Sequence, residues 1–205
     1  GNGSVLNYIV NETGQGQESG RDQPHAHLGI SFLALAAETG YHQGLDMYGV
    51  YNNRLLKAFE YTSKYNLGFN DVPFEPTFDR TGKYNHTIIS PKDRRKILTG
   101  SELVFNHYKN RMGVEAPFTE KTAKNARPET MSYDMPGAGT LLFALPAKSQ
   151  STSKETKVPS MVGGLEAKYK DEVITLSWIP VLNANAYTVT RTSMKSGEEL
   201  VVARD

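Results

Sequence analysis

Apolar side chains recur every three to four residues in two segments of the N-terminal half, and this spacing predicts two helices. In the first segment the recurring positions are Leu28, Phe32, Leu35 and Thr39. Pro24 suits a first helical turn and Asp22 suits the N-cap, so we expect this helix to begin there and to end near Gly40. In the second segment, about residues 45 to 65, the apolar stripe is Leu55, Phe59 and Thr62.

The chain then changes character twice. Residues 67 to 99 carry prolines and no sustained period, which predicts a long loop that is functional or flexible. Two further helices are expected over residues 102 to 112 and 119 to 125, the latter with Thr119 as N-cap, followed by a short buried strand or helix end over 137 to 145. Residues 164 to 191 alternate apolar and polar positions, which predicts strands. The sequence therefore predicts a helical domain (1–145), a polar linker (146–158) and a β module (159–205).

Charge and composition narrow the classes of function. The 205 residues include 23 basic and 22 acidic ones without a block of like charge, so we expect no nucleic-acid partner. The short run Lys92-Asp-Arg-Arg-Lys96 is expected to be solvated. The sequence contains no cysteine, which excludes disulfides and thiolate chemistry. It also contains no apolar run of about 18 residues, so we predict no membrane span. The opening Gly1-Asn-Gly-Ser4 is not typical of a natural start, so we expect the chain to be a fragment.

The densest candidate chemistry lies in Glu18-Ser-Gly-Arg-Asp-Gln-Pro-His25, just before the first helix. At the positive end of a helix dipole, His25 would stay neutral and could act as a general base, or it could bond Glu18 or Asp22 for structural reasons. His27 lies about 200° further around the helix, so the two histidines are not expected to serve one site. Arg21 could bind a substrate carboxylate or pair with Glu18 or Glu60.

Tyrosine and arginine also share helix faces further along. Tyr51, Arg54, Tyr61 and Tyr65 fall on one face of the second predicted helix. A guanidinium would lower the pKa of a neighbouring phenol and suit it to proton transfer, although such tyrosines also pack between helices. Arg80 and Tyr84 form a second such pair in the long loop, and His107 is expected to be a core histidine. We find no spacing of His, Asp or Glu that indicates a metal site.

Two stretches resemble known families. The β module resembles a truncated fibronectin type III domain, on the residues Val173, Thr175, Leu176, Trp178, Ala186, Tyr187 and Val189. About residues 12 to 145 resemble the alginate lyase-like family of polysaccharide lyases. The matching stretches are Glu18 to Gly29, His42-Gln-Gly-Leu-Asp-Met-Tyr48, Asn53-Arg54, Phe59-Glu60-Tyr61, Lys64-Tyr65-Asn66-Leu-Gly68, Val72-Pro-Phe74 and Pro136-Gly-x-Gly-Thr-Leu-Leu-Phe143.

The lyase resemblance implies a mainly α fold that is part of an α/α toroid, and the fibronectin type III resemblance implies an all-β sandwich fragment after it. It implies cleavage of a uronate-containing glycan, similar to alginate or glucuronan, by β-elimination without a cofactor. The implied catalytic residues are His25, Tyr61 and Tyr51. The implied substrate-binding residues are Arg21, Glu18, His27, Arg54, Arg80 and Tyr84.

Alternatives stay open at this point. A non-catalytic carbohydrate-binding protein could use the same scaffold, and an α/α-toroid glycoside hydrolase could use carboxylates such as Glu18, Asp22 and Glu60. We expect a periplasmic or secreted bacterial protein with an acidic polysaccharide as its partner. The fragment itself could be inactive, and the truncated β module could self-associate through its open strands.

Overall fold

A computed structural model describes residues 4–78, 82–96, 99–130, 136–145, 159, 162–182 and 184–204. Helices occupy the first part of the chain: α1 (Val5–Tyr8), a 3-10 turn (Gln17–Gly20), α2 (Gln23–His42), α3 (Val50–Asn66), α4 (Ser101–Phe105) continued by a π-helix (Asn106–Arg111), α5 (Pro117–Ala126) and α6 (Gly139–Leu142). The strands are β1 (Thr77–Phe78), β2 (Asn85–His86), β3 (Gly163–Lys170), β4 (Val173–Ile179), β5 (Thr188–Thr192) and β6 (Glu199–Arg204). The predicted linker, 146–158, lies outside the described residues.

Helices α2 and α3 run antiparallel, since Gln23 at the start of α2 accepts a hydrogen bond from Asn66 at the end of α3. The main core lies between them and α4. Its fully buried members include Ile30, Ala34, Phe59, Leu103 and Val104. A smaller cluster of Tyr61, Tyr65 and Val72 closes the other side of α3.

The prediction for α2 is confirmed, because Asp22 is the N-cap and its side chain accepts from the His25 N–H. Helix α3 begins later than predicted. Tyr51, Asn52 and Asn53 have positive φ values of 52°, 56° and 54°, so its regular right-handed part starts only at Arg54. Left-handed backbone is costly for residues other than glycine, and a periodic apolar pattern does not reveal it.

Helix α5 begins at Pro117, and the predicted Thr119 cap is wrong. Its first free N–H groups, those of Phe118 and Thr119, donate to the carboxylate of Glu60 on α3, at 3.2 and 2.8 Å. The Thr119 hydroxyl also donates to Glu60, at 2.7 Å. The cap therefore comes from a distant helix, which satisfies the open amides of α5 and ties it to α3.

The expected fold class, part of an α/α toroid followed by a fibronectin type III-like sandwich, is wrong. Of the described helices only α2 and α3 exceed 10 residues, and they make one long antiparallel pair, not a ring of pairs. The described strands form three separate two-stranded sheets: β1–β2, β3–β4 and β5–β6.

The side chains of the two C-terminal hairpins show why no sandwich results. A sandwich buries the facing sides of two sheets, but Val173, Ile174 and Leu200 are each more than half exposed. The Trp178 and Tyr187 rings do meet, with centroids 5.2 Å apart. That contact is local and leaves most apolar strand positions open to solvent.

The β part joins the helical part at the corner between α2 and α3. Asp46 N donates to Pro180 O at 2.8 Å, and Leu182 N donates to Gly44 O at 3.2 Å. Leu45 and Val181 form an antiparallel bridge between these two bonds. A short ladder of backbone hydrogen bonds therefore attaches the C-terminal hairpins to the helices.

Candidate functional site

The first turn of α2 gathers four of the sequence-predicted polar side chains into one cluster. The Asp22 carboxylate lies 2.7 Å from His25 Nδ1, and His25 Nε2 lies 2.9 Å from Arg21 Nη2. Arg21 Nη1 donates in turn to Glu18 Oε2, at 3.1 Å. We name this chain of side chains, Asp22–His25–Arg21–Glu18, the His25 cluster.

The partners of His25 set its tautomer. An ionised carboxylate only accepts, so Nδ1 carries the proton that faces Asp22. A guanidinium only donates, so Nε2 presents its lone pair to Arg21. In this tautomer the lone pair of Nε2 points at the Arg21 guanidinium.

Asp22 is the buried end of the cluster, with 4% of its surface exposed. Burial alone would raise the pKa of this carboxyl, but the His25 backbone N–H, the His25 ring and the charge of Lys92 together bring the pKa below its ordinary value. Asp22 thus stays ionised at neutral pH and can orient the ring in the way that carboxylates orient catalytic histidines.

The other end of the cluster is open to solvent. The side chains of His25 and Arg21 are 41% and 51% exposed, and that of Glu18 is 25% exposed. The side chains of His25 and Arg21 are therefore accessible from solvent.

The backbone beneath the cluster is fixed by buried and half-buried side chains. Gln23 Nε2 donates to Ser90 O, and Asn66 Nδ2 donates to Gln23 Oε1, each at 2.8 Å. The Tyr8 hydroxyl donates to the carbonyl of His25 at 3.1 Å. Such supporting bonds keep a reactive side chain in one geometry.

Gly20 brings a further histidine close to the cluster. A Cβ built on Gly20 would collide with the Cβ of His86 from β2, so only glycine permits this approach. His86 was not singled out from the sequence, because nothing local links it to a turn so far away. Asp22 was expected as the N-cap, as a structural partner of His25 or as a hydrolase carboxylate, and the structure shows it as the cap and as the partner of His25.

His27 lies away from this surface, as the helical geometry predicted. It is 3% exposed, its Nε2 donates to Thr99 O at 2.7 Å, and its ring meets Phe59 edge to face. Burial lowers the pKa of His27 to about 4. It is a neutral core histidine in this structure and does not reach the position of a substrate contact.

The tyrosine and arginine candidates of α3 are not brought to the His25 cluster. Tyr61 is 5% exposed and its hydroxyl donates to Pro73 O at 2.7 Å, while burial raises its pKa. Tyr51 is 54% exposed in the left-handed turn that opens α3. Arg54 is buried and pairs with Glu12, and its Nε and Nη1 have no hydrogen-bond partner among the described residues.

The remaining sequence candidates, Tyr84 and Arg80, belong to the long loop. Tyr84 is 64% exposed just before β2, and Arg80 lies outside the described residues.

A second polar network surrounds Glu38, which is 5% exposed. Both terminal nitrogens of Arg111 donate to its two carboxylate oxygens at 2.8 Å, and the Tyr48 hydroxyl donates at 2.9 Å. The ring of His107 stacks on Tyr48 with centroids 3.5 Å apart, and burial together with the Arg111 charge lowers the pKa of His107 to about 4. This network is interior, in keeping with the expectation of a core histidine.

In the part of the chain that the structure describes, no three His, Asp or Glu side chains lie close enough to hold a metal ion. No described helix combines the length and apolar character that crossing a bilayer requires.

No protein-family model, curated protein or solved structure matches this chain. The likeness to polysaccharide lyases therefore stays a prediction from the sequence.

Proposed function

We propose that this chain belongs to a lyase that cleaves a uronate-containing glycan, similar to alginate or glucuronan, by β-elimination. The observation that carries the proposal is the contact of His25 Nε2 with Arg21 at an exposed surface, while Asp22 holds the other ring nitrogen. A base and a carboxylate binder are thus adjacent, which are two of the three groups that the reaction needs.

Substrate binding would activate the base. Arg21 donates to His25 Nε2 in this structure, and this contact occupies the lone pair of Nε2. A uronate carboxylate is a stronger acceptor for a guanidinium than an imidazole nitrogen, because its bonds are charge-assisted on both sides. Arg21 would turn to the substrate carboxylate, which releases Nε2 and makes the neighbouring C5 proton more acidic.

Elimination then follows with its atoms balanced. Nε2 takes the proton from C5, the C5–H electrons form the C4=C5 double bond, and the C4–O4 bond breaks. The electrons of that bond leave on O4, which needs a proton. The carboxylate of Asp22 stabilises the imidazolium formed in between, as in other Asp–His pairs.

The same histidine can supply the proton to O4. The Tyr61 hydroxyl donates to the carbonyl of Pro73. The Tyr8 hydroxyl, which lies under the His25 cluster, donates to the carbonyls of His25 and Ala26. The protonated His25 is the acid that faces solvent in this cluster. Because His25 acts first as base and then as acid, the C5 proton that it removes and the O4 that it protonates must lie on the same side of the sugar ring.

The test is the ultraviolet absorbance of the unsaturated uronyl end, followed with the purified protein and a panel of polyuronates. We expect His25→Gln to lose about 10²–10⁴-fold in rate, the usual contribution of general acid–base catalysis. His42→Gln is the matched control, because His42 is 66% exposed and pairs with Glu38 away from the cluster. Equal rates for both variants would remove His25 from the chemistry.

Two other functions have distinct outcomes in the same assay. A glycoside hydrolase would yield reducing ends without the absorbance, but it needs two available carboxylates across a cleft. Glu18 pairs with Arg21, Asp22 holds His25 and Glu60 caps α5, so the structure disfavours it. Binding of the glycan without either product would indicate a carbohydrate-binding protein.

A further inference from the structure

The basic residues of the run 92–96 have different surroundings in the folded chain. Arg94 is occupied: its Nε and Nη2 donate to the carbonyls of Tyr65 and Phe69, at 2.9 and 2.8 Å, and its guanidinium covers the Tyr65 ring. These bonds satisfy carbonyls at the end of α3, the usual task of a cation at a helix C-terminus. Arg95 and Lys96 are therefore not needed for that task.

Arg95 and Lys96 instead line a small cavity of about 60 Å³. Its lining residues are Asn66, Leu67, Arg95, Lys96, Thr122 and Asn125. They comprise two cations, two amides and a hydroxyl, and no carboxylate. Neither cationic side chain makes an ion pair with a residue that the structure describes.

A buried polar atom also lacks a partner here. Thr122 Oγ1, on α5, is removed from solvent and has no hydrogen bond within the described residues. A buried hydroxyl without a partner costs free energy. A ligand that accepts hydrogen bonds would compensate the two neighbouring positive charges, and it would bond Thr122 Oγ1 once that side chain turns toward the cavity.

The backbone holds Arg95 at this position. Its N–H donates to Asn66 Oδ1 at 3.1 Å, and its φ of 69° is left-handed. A Cβ added to Gly68 would lie 2.9 Å from Arg95 Nη2, so the guanidinium rests directly on a glycine. The position of the Arg95 side chain is thus set by its backbone and by its close approach to Gly68.

The cavity volume limits the ligand. At about 60 Å³ the cavity is far smaller than the ~300–1,000 Å³ of pockets that enclose drug-sized ligands. A single oxyanion group fits both this size and the donor chemistry. We propose that the pocket formed by Arg95, Lys96 and Thr122, the Arg95 pocket, binds one oxyanion group of the carboxylate or sulfate kind.

The group could arrive as a free anion or as a substituent of a saccharide. Asn66 connects the two sites, because its Nδ2 donates to Gln23 in the first turn of α2 while its Oδ1 accepts from Arg95. The Arg95 pocket nevertheless stands on its own contacts and does not depend on the proposed lyase activity.

The experiment measures binding of sodium sulfate by calorimetric titration of the whole chain, with sodium chloride holding the ionic strength constant. We expect wild type and His25→Gln to bind sulfate alike and Arg95→Gln to bind at least about tenfold more weakly. Thr122→Val, which keeps the side-chain shape, should show a smaller loss. Lys170→Gln is the charge-matched control, because its side chain is 88% exposed on β3.

A second titration with a monomeric uronate, and with the matching neutral sugar, distinguishes the sources. Uronate binding that Arg95→Gln weakens supports a saccharide substituent, and sulfate binding alone supports a free anion. Equal binding by wild type, Arg95→Gln and Lys170→Gln, or no binding of either anion by folded wild type, would overturn the proposal. Because the readout is binding, a lyase assay without product does not affect this result.

Discussion

The Glu38–Arg111 pair offers the sharpest test of the interior. Replacing Glu38 by glutamine keeps the shape but removes the charge, and it turns one acceptor oxygen into an NH₂ group. That group would face Arg111, which can only donate, while the Arg111 side chain is just 19% exposed. A buried cation would then have lost its counter-ion.

The structure sets the expected size of the effect. Breaking one partner of a buried pair costs about 3–5 kcal/mol. Because Arg111 retains some exposure to solvent, we expect about 3 kcal/mol, the low end of that range.

Urea unfolding followed by far-ultraviolet circular dichroism, which reports on the helices, measures this loss. The double variant Glu38→Leu, Arg111→Met removes both charges and should be more stable than Glu38→Gln, since replacing a whole pair is often nearly neutral. A loss below about 1 kcal/mol for Glu38→Gln, or a double variant less stable than the single one, would refute the reasoning.

The same pair has a defined pH dependence. Burial would raise the pKa of Glu38, but the hydrogen bonds from Arg111 and Tyr48 and the Arg111 charge bring the pKa below its ordinary value. A carboxyl with a depressed pKa contributes stability that is fully present above its unfolded pKa and is lost as pH falls through its folded pKa. The difference in unfolding free energy between wild type and Glu38→Gln should therefore shrink in acid.

Three further predictions concern other parts of the helical region. Tyr51→Gly should be about 1 kcal/mol more stable to urea than Tyr51→Ala, because glycine accepts the left-handed φ of 52°; equal stabilities would contradict this. Folded His27, with its pKa lowered to about 4, stays neutral as pH falls from 6.5 to about 4. In the unfolded chain the same histidine takes up a proton in this window, because its pKa there has the ordinary value of 6.5. Stability should therefore fall by up to about 3 kcal/mol as pH drops through that window, and a His27→Gln variant with the same unfolding profile against pH would exclude this cause. Glu60→Ala should cost about 1–2 kcal/mol in thermal or urea unfolding by uncapping α5, whereas the exposed Glu115→Ala should change little; similar values for both would show that the cap does not matter.

Local signals predicted much of the helical part. The cap at Asp22 and the apolar stripe of α2 lie within one stretch of sequence, so both could be found there. The start of α3 and the cap of α5 could not. The first depends on a left-handed turn at residues 51–53, and the second on Glu60, which meets Thr119 only after the chain has folded back.

In the β part the sequence predicted the strands but not how their sheets pack. Alternation in β3, β4 and β5 predicted strands correctly, but alternation does not say which sheet faces which. The sandwich was inferred from a likeness in residues such as Trp178 and Tyr187, whose contact exists without the sheet-on-sheet packing. Pairwise ring contacts are compatible with several arrangements of the same hairpins.

In the candidate site, too, the sequence predicted the local contacts but not those with distant loops. Arg21, Asp22 and His25 lie in one short stretch where α2 begins, and the Asp22 cap brings its carboxylate to His25 through a local contact. Tyr61 and Arg54 share a helix face in the sequence, yet their polar ends meet Pro73 and Glu12. Those partners come from loops whose course no local pattern indicates.

The ladder between the α2–α3 corner and Pro180 has a consequence for the order of events during synthesis. The ribosome delivers Asp46 long before its acceptor Pro180, and N-terminal units generally fold first. During that interval the corner must be hydrated, and the helices can pack without it because their core residues have already emerged. The C-terminal strands are synthesised last, and their backbone hydrogen bonds then fix a turn that formed without them.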